Sequence, residues 1–255
     1  MIEKVASQDS GLKNKPTAKN FPAYFSCWDI HAYYGESYIV QGVSFDVREG
    51  EVIALLGRNG AGKTSTLRTI ARTADPQLKH GEIWLDHQPL HDMPSYKASQ
   101  AGVALVPEDR RIIPGLTVEE NLKLAQIAEP HGWSIDRIYE YFPRLAERRT
   151  QEGITLSGGE QQMLAFARAL ARDIKLLMLD EPFEGLAPKI RQEISKIVLD
   201  IKELGITTII VEQDAMAVLK LADRAIILDM GEIVFNGTAE EVRENKELRE
   251  QYLAV

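Results

Sequence analysis

The sequence holds one cysteine, Cys27, so no disulfide can form within the chain. A lone cysteine fits a reducing compartment and reads as a small buried hydrophobe. Long hydrophobic runs are missing as well. Val52–Leu56 and Leu176–Leu179 stop far short of the ~20 apolar residues that span a bilayer. Met1–Ser26 is polar and lacks the apolar stretch of a secretory signal, which points to a cytoplasmic protein. Excess basic charge is absent: 30 Lys and Arg face 38 Asp and Glu, a formal net charge of −8. Nucleic-acid binding trades condensed counterions for Lys and Arg, so no nucleic-acid partner is expected. There is no internal repeat and no low-complexity tract.

What is present is a hydrophobic share of 44%, enough for a sizeable core. Residues 1–25 are rich in Ser, Lys and Asn and show no period, so they are expected to form a disordered polar tail. Residues 26–255 then alternate strand and helix patterns, which implies an α/β fold with a mostly parallel sheet. Glu51–Leu56, Leu176–Leu179 and Thr207–Val211 are short buried strands. A helix is expected from Lys63 to Arg72, and another over Pro188–Leu204, with Pro188 at its first position and Gly205 past its end. Ile39–Glu51 and Gly81–Leu90 alternate polar and apolar residues and suggest an antiparallel β flank. A charged helical lobe is expected at about 109–160. His87 and His91, with His80 nearby, lie around Asp86-His87-Gln88-Pro89 and read as solvated residues of a hairpin, not as a zinc site.

Three stretches carry chemistry. Gly57-Arg58-Asn59-Gly60-Ala61-Gly62-Lys63-Thr64 is a phosphate loop set between a strand and a helix. Its glycines let the backbone curl so that N–H groups point at phosphate oxygens, helped by the positive helix end. Lys63 is expected to reach the β- and γ-phosphates, and Thr64 to bind Mg²⁺ through its hydroxyl, with Ser65 beside it. Leu176–Glu181 is a buried strand ending in two carboxylates: Asp180 for Mg²⁺, Glu181 to polarise the attacking water. Leu156-Ser157-Gly158-Gly159-Glu160-Gln161-Gln162 opens a helix with a capping box, and its two glycines leave N–H groups bare for a second anion.

The order and spacing of these stretches resemble the ATPase domains of ABC transporters, over residues 27–255. The resemblance implies a P-loop NTPase core with an antiparallel flank and a helical subdomain. It also implies a head-to-tail pair of ATPase subunits, in which Ser157, Gly158, Gly159 and Glu160 act on the partner's nucleotide. Tyr34 matches the position of an aromatic residue that stacks on adenine. Glu108 stands where the family usually has a Gln near the metal, and Gln213 replaces the usual catalytic His. Val106-Pro107-Glu108, Thr117–Leu122, Phe142–Leu145 and Gly185–Pro188 resemble one branch, the smaller ATPase of branched-chain amino-acid importers. Urea and short-amide importers have a similar subunit. Integral membrane permeases, a sister or identical ATPase chain and, indirectly, a solute-binding protein are the implied partners, with the protein peripheral on the inner membrane face. Arg110–Arg111 lies where the family meets its permease. An ABC ATPase of translation or DNA repair is the rival. It fits less well, because the chain has neither a second such domain nor a sustained heptad pattern.

Overall fold

The computed structural model describes residues 23–126 and 132–253. The expected tail therefore lies almost wholly outside the described residues. In chain order the elements begin with β1 (Phe25–Tyr34), β2 (Ser37–Val47), β3 (Val52–Leu56), α1 (Lys63–Ile70), β4 (Gln77–Leu85) and β5 (Gln88–Pro89). Next come α2 (Ser95–Gln100), β6 (Val103–Val106), α3 (Val118–Gln126), α4 (Ile135–Tyr141), α5 (Pro143–Glu147) and α6 (Gly158–Leu170). The chain continues through β7 (Leu176–Asp180), α7 (Pro188–Glu203), β8 (Thr207–Val211) and α8 (Ala215–Val218). It closes with β9 (Arg224–Asp229), β10 (Glu232–Thr238), α9 (Ala239–Glu244) and α10 (Lys246–Tyr252).

Two sheets form the frame. One runs β10-β9-β3-β8-β7-β6, with β9 through β6 parallel and β10 antiparallel at its edge. The other is the antiparallel flank, in the order β2-β1-β4-β5. Strands β3, β7 and β8 are buried at every residue, as parallel strands covered on both faces must be. Their alternate residues feed two cores. Val52, Ala54 and Leu56 join the core that holds α6 and α7, whereas Ile53 and Leu55 join the one beneath α1 and the flank.

Several boundaries differ from expectation. The expected strand at Ile39–Glu51 is β2, which ends at Val47 and pairs antiparallel with β1, starting at Phe25. Gly81–Leu90 does contain a hairpin, with Asp86 and His87 at φ 46° and 62° in the turn between β4 and β5. His91 is not a solvated residue. Its ring sits 5.5 Å from that of Trp84, and its Nδ1 lies 3.2 Å from the Ile83 carbonyl. His80 reaches Asp29 at 3.3 Å. Helix α1 ends at Ile70 because Arg72 already has a left-handed φ of 57°.

This arrangement puts the C-terminal ends of β3, β7 and β8 side by side. Open α/β sheets bind ligands at that edge.

Candidate functional site

The loop after β3 closes on Gly62, the N-cap of α1, at φ 99°. No side chain caps this helix, so its leading amides and the positive end of its dipole are left to a ligand. Gly57 is the tightest point of the loop: φ is 145°, and a Cβ there would lie 2.3 Å from the Leu228 carbonyl oxygen. Only glycine fits. Lys63 is buried, and its Nζ donates to the carbonyls of Gly57 at 2.9 Å and Arg58 at 3.2 Å, which holds the ammonium over the loop. Burial pulls the Lys63 pKa down, while Glu181, Asp180 and Glu212 pull it up.

A cavity of about 430 Å³ opens beside this loop. Tyr34, Asn59, Gly60, Gly62, Lys63, Thr64, Ser65, Glu108, Glu181 and Gln213 all line it, with Ile39 and Glu184. Gly57 and Ala61 are the buried underside of the loop. Tyr34 is half-buried, and its hydroxyl accepts from Arg68 Nη1 at 3.4 Å, which steadies the ring at the rim.

The carboxylates come from the end of β7 and the loops on either side. Thr64 Oγ1 donates to Asp180 Oδ1 at 2.8 Å. Asp180 is buried, and burial raises its pKa against the lowering effect of that hydrogen bond. Thr64 and Asp180 are hard oxygen donors held together, a pair that suits Mg²⁺ and would hold it against the phosphates, with Glu108 as a further oxygen donor lining the same cavity as Thr64. Oxygens of Glu108, Glu181 and Glu184 all lie within 4.8 Å of one another. Glu181 has a left-handed φ of 50°, a strained conformation for a non-glycine residue, and its N–H donates to the Val211 carbonyl at 2.9 Å. Gln213 Nε2 donates to Glu181 Oε2 at 2.8 Å. The residue that replaces the family's usual His therefore touches the candidate base directly.

Two acids in this region were not singled out from the sequence. A hydrogen bond with Glu181 pushes the Glu184 carboxyl up to about 7, with burial and the charges of Glu181, Glu108 and Glu212 adding to it. Glu212 is buried and bonded to backbone amides on both sides of the site. Its one sequence signal was its place at the end of an apolar strand.

The stretch Ser157–Glu160 does not line this cavity. The capping box forms: Ser157 N and Oγ donate to Glu160 Oε2 at 3.0 Å and 2.7 Å. Glu160 is buried in its own chain and also pairs with Arg148 at 3.0 Å. Within its own chain it holds the helix end. Gly159 is buried too; a Cβ there would meet Ile190 Cγ2 at 2.7 Å, so this glycine also serves close helix packing. Ser157 and Gly158 are exposed.

Known proteins resemble this chain in sequence and in fold. Residues 40–184 match the family model described as ABC transporter. The chain is 42% identical to the high-affinity branched-chain amino acid transport ATP-binding protein BraG of Pseudomonas aeruginosa, over 88% of this chain and 97% of that protein. It is 34% identical to the probable branched-chain amino acid transport ATP-binding protein LivF of Archaeoglobus fulgidus, over 89% and 97%. Among solved structures, a nucleotide-free ATP-binding cassette from an ABC transporter matches with a TM-score of 0.76 at 23% identity, covering 91% of this chain and 99% of that one. An ATP-binding subunit of an ABC transporter matches with a TM-score of 0.75 at 27% identity, over 89% and 95%.

Proposed function

The chain belongs to the ABC transporter family as one of its ATPases, and from that premise we propose that it powers an importer of branched-chain or other hydrophobic amino acids. The observation that carries the ATPase chemistry is the meeting of Thr64–Asp180 and Gln213–Glu181 beside one phosphate loop. The loop amides and Lys63 bind the phosphates. Tyr34 stacks on the base. Thr64, Asp180 and Glu108 hold Mg²⁺, which when bound offsets phosphate charge. Glu181 orients the attacking water and takes its proton, and Gln213 holds Glu181 by its amide. The solute class is supported by the two branched-chain transport relatives.

Two of these subunits pair head to tail, so that Ser157 and the Gly158–Gly159 amides of one face the nucleotide of the other. The exposure of Ser157 and Gly158 supports this. Permease subunits dock on the groove of about 460 Å³ between β6, α2, α3 and α6, where Tyr96 and Leu124 are exposed and Arg110 and Arg111 line the wall. Among the described residues no helix is long and apolar enough to cross a membrane. Membrane attachment at the cytoplasmic face therefore runs through those permeases, and the solute-binding protein engages them rather than this chain.

The test is uptake. Deleting the gene should abolish import of radiolabelled leucine, isoleucine and valine, and membranes should yield the chain bound to integral membrane subunits. Loss of urea or short-amide uptake instead, or capture with ribosomes or DNA alone, overturns the amino-acid reading.

A further inference from the structure

Glu212 follows the apolar strand β8 and is only 4% exposed. Its two carboxylate oxygens are divided between two loops. Oε1 accepts the N–H of Phe183 at 2.8 Å, and Oε2 accepts the N–H of Gln213 at 3.2 Å. Phe183 lies two residues past Glu181 in the chain. Gln213 sends its side-chain amide back to Glu181. One arm of Glu212 thus holds the loop that follows Glu181, and the other holds the residue whose side chain touches the Glu181 carboxylate. Burying an acid is expensive: desolvation pushes the Glu212 carboxyl up to about 7 despite the amide hydrogen bonds. An apolar residue would fill the space without that cost, but it would leave the buried N–H of Phe183 unpaired and take the acceptor from the N–H of Gln213. What an acid supplies is a pair of acceptors on one rigid fork.

We propose that Glu212 is a positioning residue for ATP hydrolysis: by pinning the amides of Phe183 and Gln213, it sets the distance and angle at which Gln213 holds Glu181 toward the attacking water. The role rests on Glu181 being the base. Glutamine cannot replace Glu212, because its amide offers one acceptor and turns an NH₂ group against the second N–H. A displacement of about 1 Å at a reacting group can cost about a hundredfold in rate.

The experiment is a mutant cycle on the full chain, with kcat, KM for ATP and thermal midpoint measured for Glu212→Gln, Gln213→Ala, Glu181→Gln and the Glu212→Gln/Gln213→Ala double variant. Glu212→Gln should lose at least about tenfold in kcat with KM for ATP unchanged. In the Gln213→Ala background the same substitution should cost far less, because the two act through one contact. A purely structural Glu212 would give equal fold-losses in both backgrounds, and that result, or a wild-type kcat for Glu212→Gln, overturns the proposal. Should Glu212→Gln fail to fold, Glu212→Asp keeps two acceptors on a shorter arm and must show the kcat loss; a wild-type kcat there refutes the idea equally. Glu181→Gln separates the two readings. If it turns over ATP at the wild-type rate, the assigned base is wrong. If it is dead while Glu212→Gln is fully active, only the positioning role falls.

Discussion

Replacing Gly57 by alanine tests how the phosphate loop is held. The residue sits at φ 145°, and the added Cβ would come within 2.3 Å of the Leu228 carbonyl oxygen and 3.0 Å of Ala61 Cβ. Leu228 lies in β9, which is hydrogen-bonded to β3 and to β10, so the carbonyl has little room to retreat. The loop itself must move by most of an ångström. Backbone strain at such a φ costs about 1–3 kcal/mol, and forced overpacking adds about 1–3 kcal/mol. The sum is about 3–5 kcal/mol at the centre of those ranges. For a chain of this size each kcal/mol lowers the melting midpoint by about 2–4 °C. Gly60→Ala is the control: φ is 82°, but nothing lies within 4 Å of its Cβ, so strain alone applies, about 1–2 kcal/mol. Unfolding can be followed by the fluorescence of the three tryptophans. Nucleotide affinity should fall with the loop displacement. Breaking one charge-assisted hydrogen bond from a loop amide to phosphate costs about 1.5–3 kcal/mol, or about tenfold and more in Kd. If Gly57→Ala and Gly60→Ala prove equally stable and bind ATP equally well, the close approach of the loop to β9 is not what fixes it.

Other outcomes can be checked with the same preparations. Glu181→Gln should lose about 10²–10⁴ in turnover, measured by phosphate release, while keeping ATP affinity. Thr64→Val removes the hydroxyl that bonds Asp180; the Mg²⁺-dependent part of ATP affinity, read by calorimetry with and without the metal, should shrink. Ser157→Arg should abolish turnover yet leave ATP binding by the isolated subunit intact, since Ser157 is exposed and away from its own cavity; weakened binding would make this helix end merely structural. Stability should also carry a signature of Glu212. Its folded pKa of about 7 lies above the unfolded value, so the folded state holds the extra proton. That stabilisation is complete below the unfolded pKa and is lost as pH rises through about 7. The shift corresponds to about 3 kcal/mol. Denaturant titrations from pH 5 to pH 8 should show a larger loss in the wild type than in Glu212→Gln, where Glu184 still contributes a loss of the same sign; an equal loss in both would contradict the assignment to Glu212.

The parts of this site that were legible in the sequence are those made by adjacent residues. Gly57–Thr64 and Asp180–Glu181 each declare themselves within a few positions, because one turn or one strand end builds the chemistry. Gln213 could be placed because it lies two residues past the end of a strand of recognisable type. Glu212 could not be assigned a role, since an acid after a short buried strand looks alike whether it faces water or a loop 29 residues away in the chain. Glu184 acquires its meaning only when its loop folds against Glu181 and Glu108. Glu160 has a role within its own chain that the helix-start pattern did show. It belongs to a stretch that faces a partner by resemblance, yet the capping box and Arg148 turn it inward. The end of α1 was missed because Arg72, not a glycine, takes the left-handed turn.

The charge balance of the site explains why these ties are needed. Asp180, Glu181, Glu184, Glu108 and Glu212 crowd one edge of the sheet, and the buried cation among them is Lys63. Burial raises Asp180 and Glu212, and a hydrogen bond with Glu181 raises Glu184, with repulsion between the like charges adding to each. Left to itself such a cluster would splay apart. Three of its members are instead tied by specific donors: Asp180 by Thr64, Glu181 by Gln213, Glu212 by two backbone amides. The ties hold the acids in place with neutral donors that add no positive charge of their own, and Glu181 stays beside the phosphate loop. Replacing the usual His by Gln213 follows the same logic. An amide can hold Glu181 at any pH, whereas an imidazole would hold it more or less strongly as it gained or lost a proton.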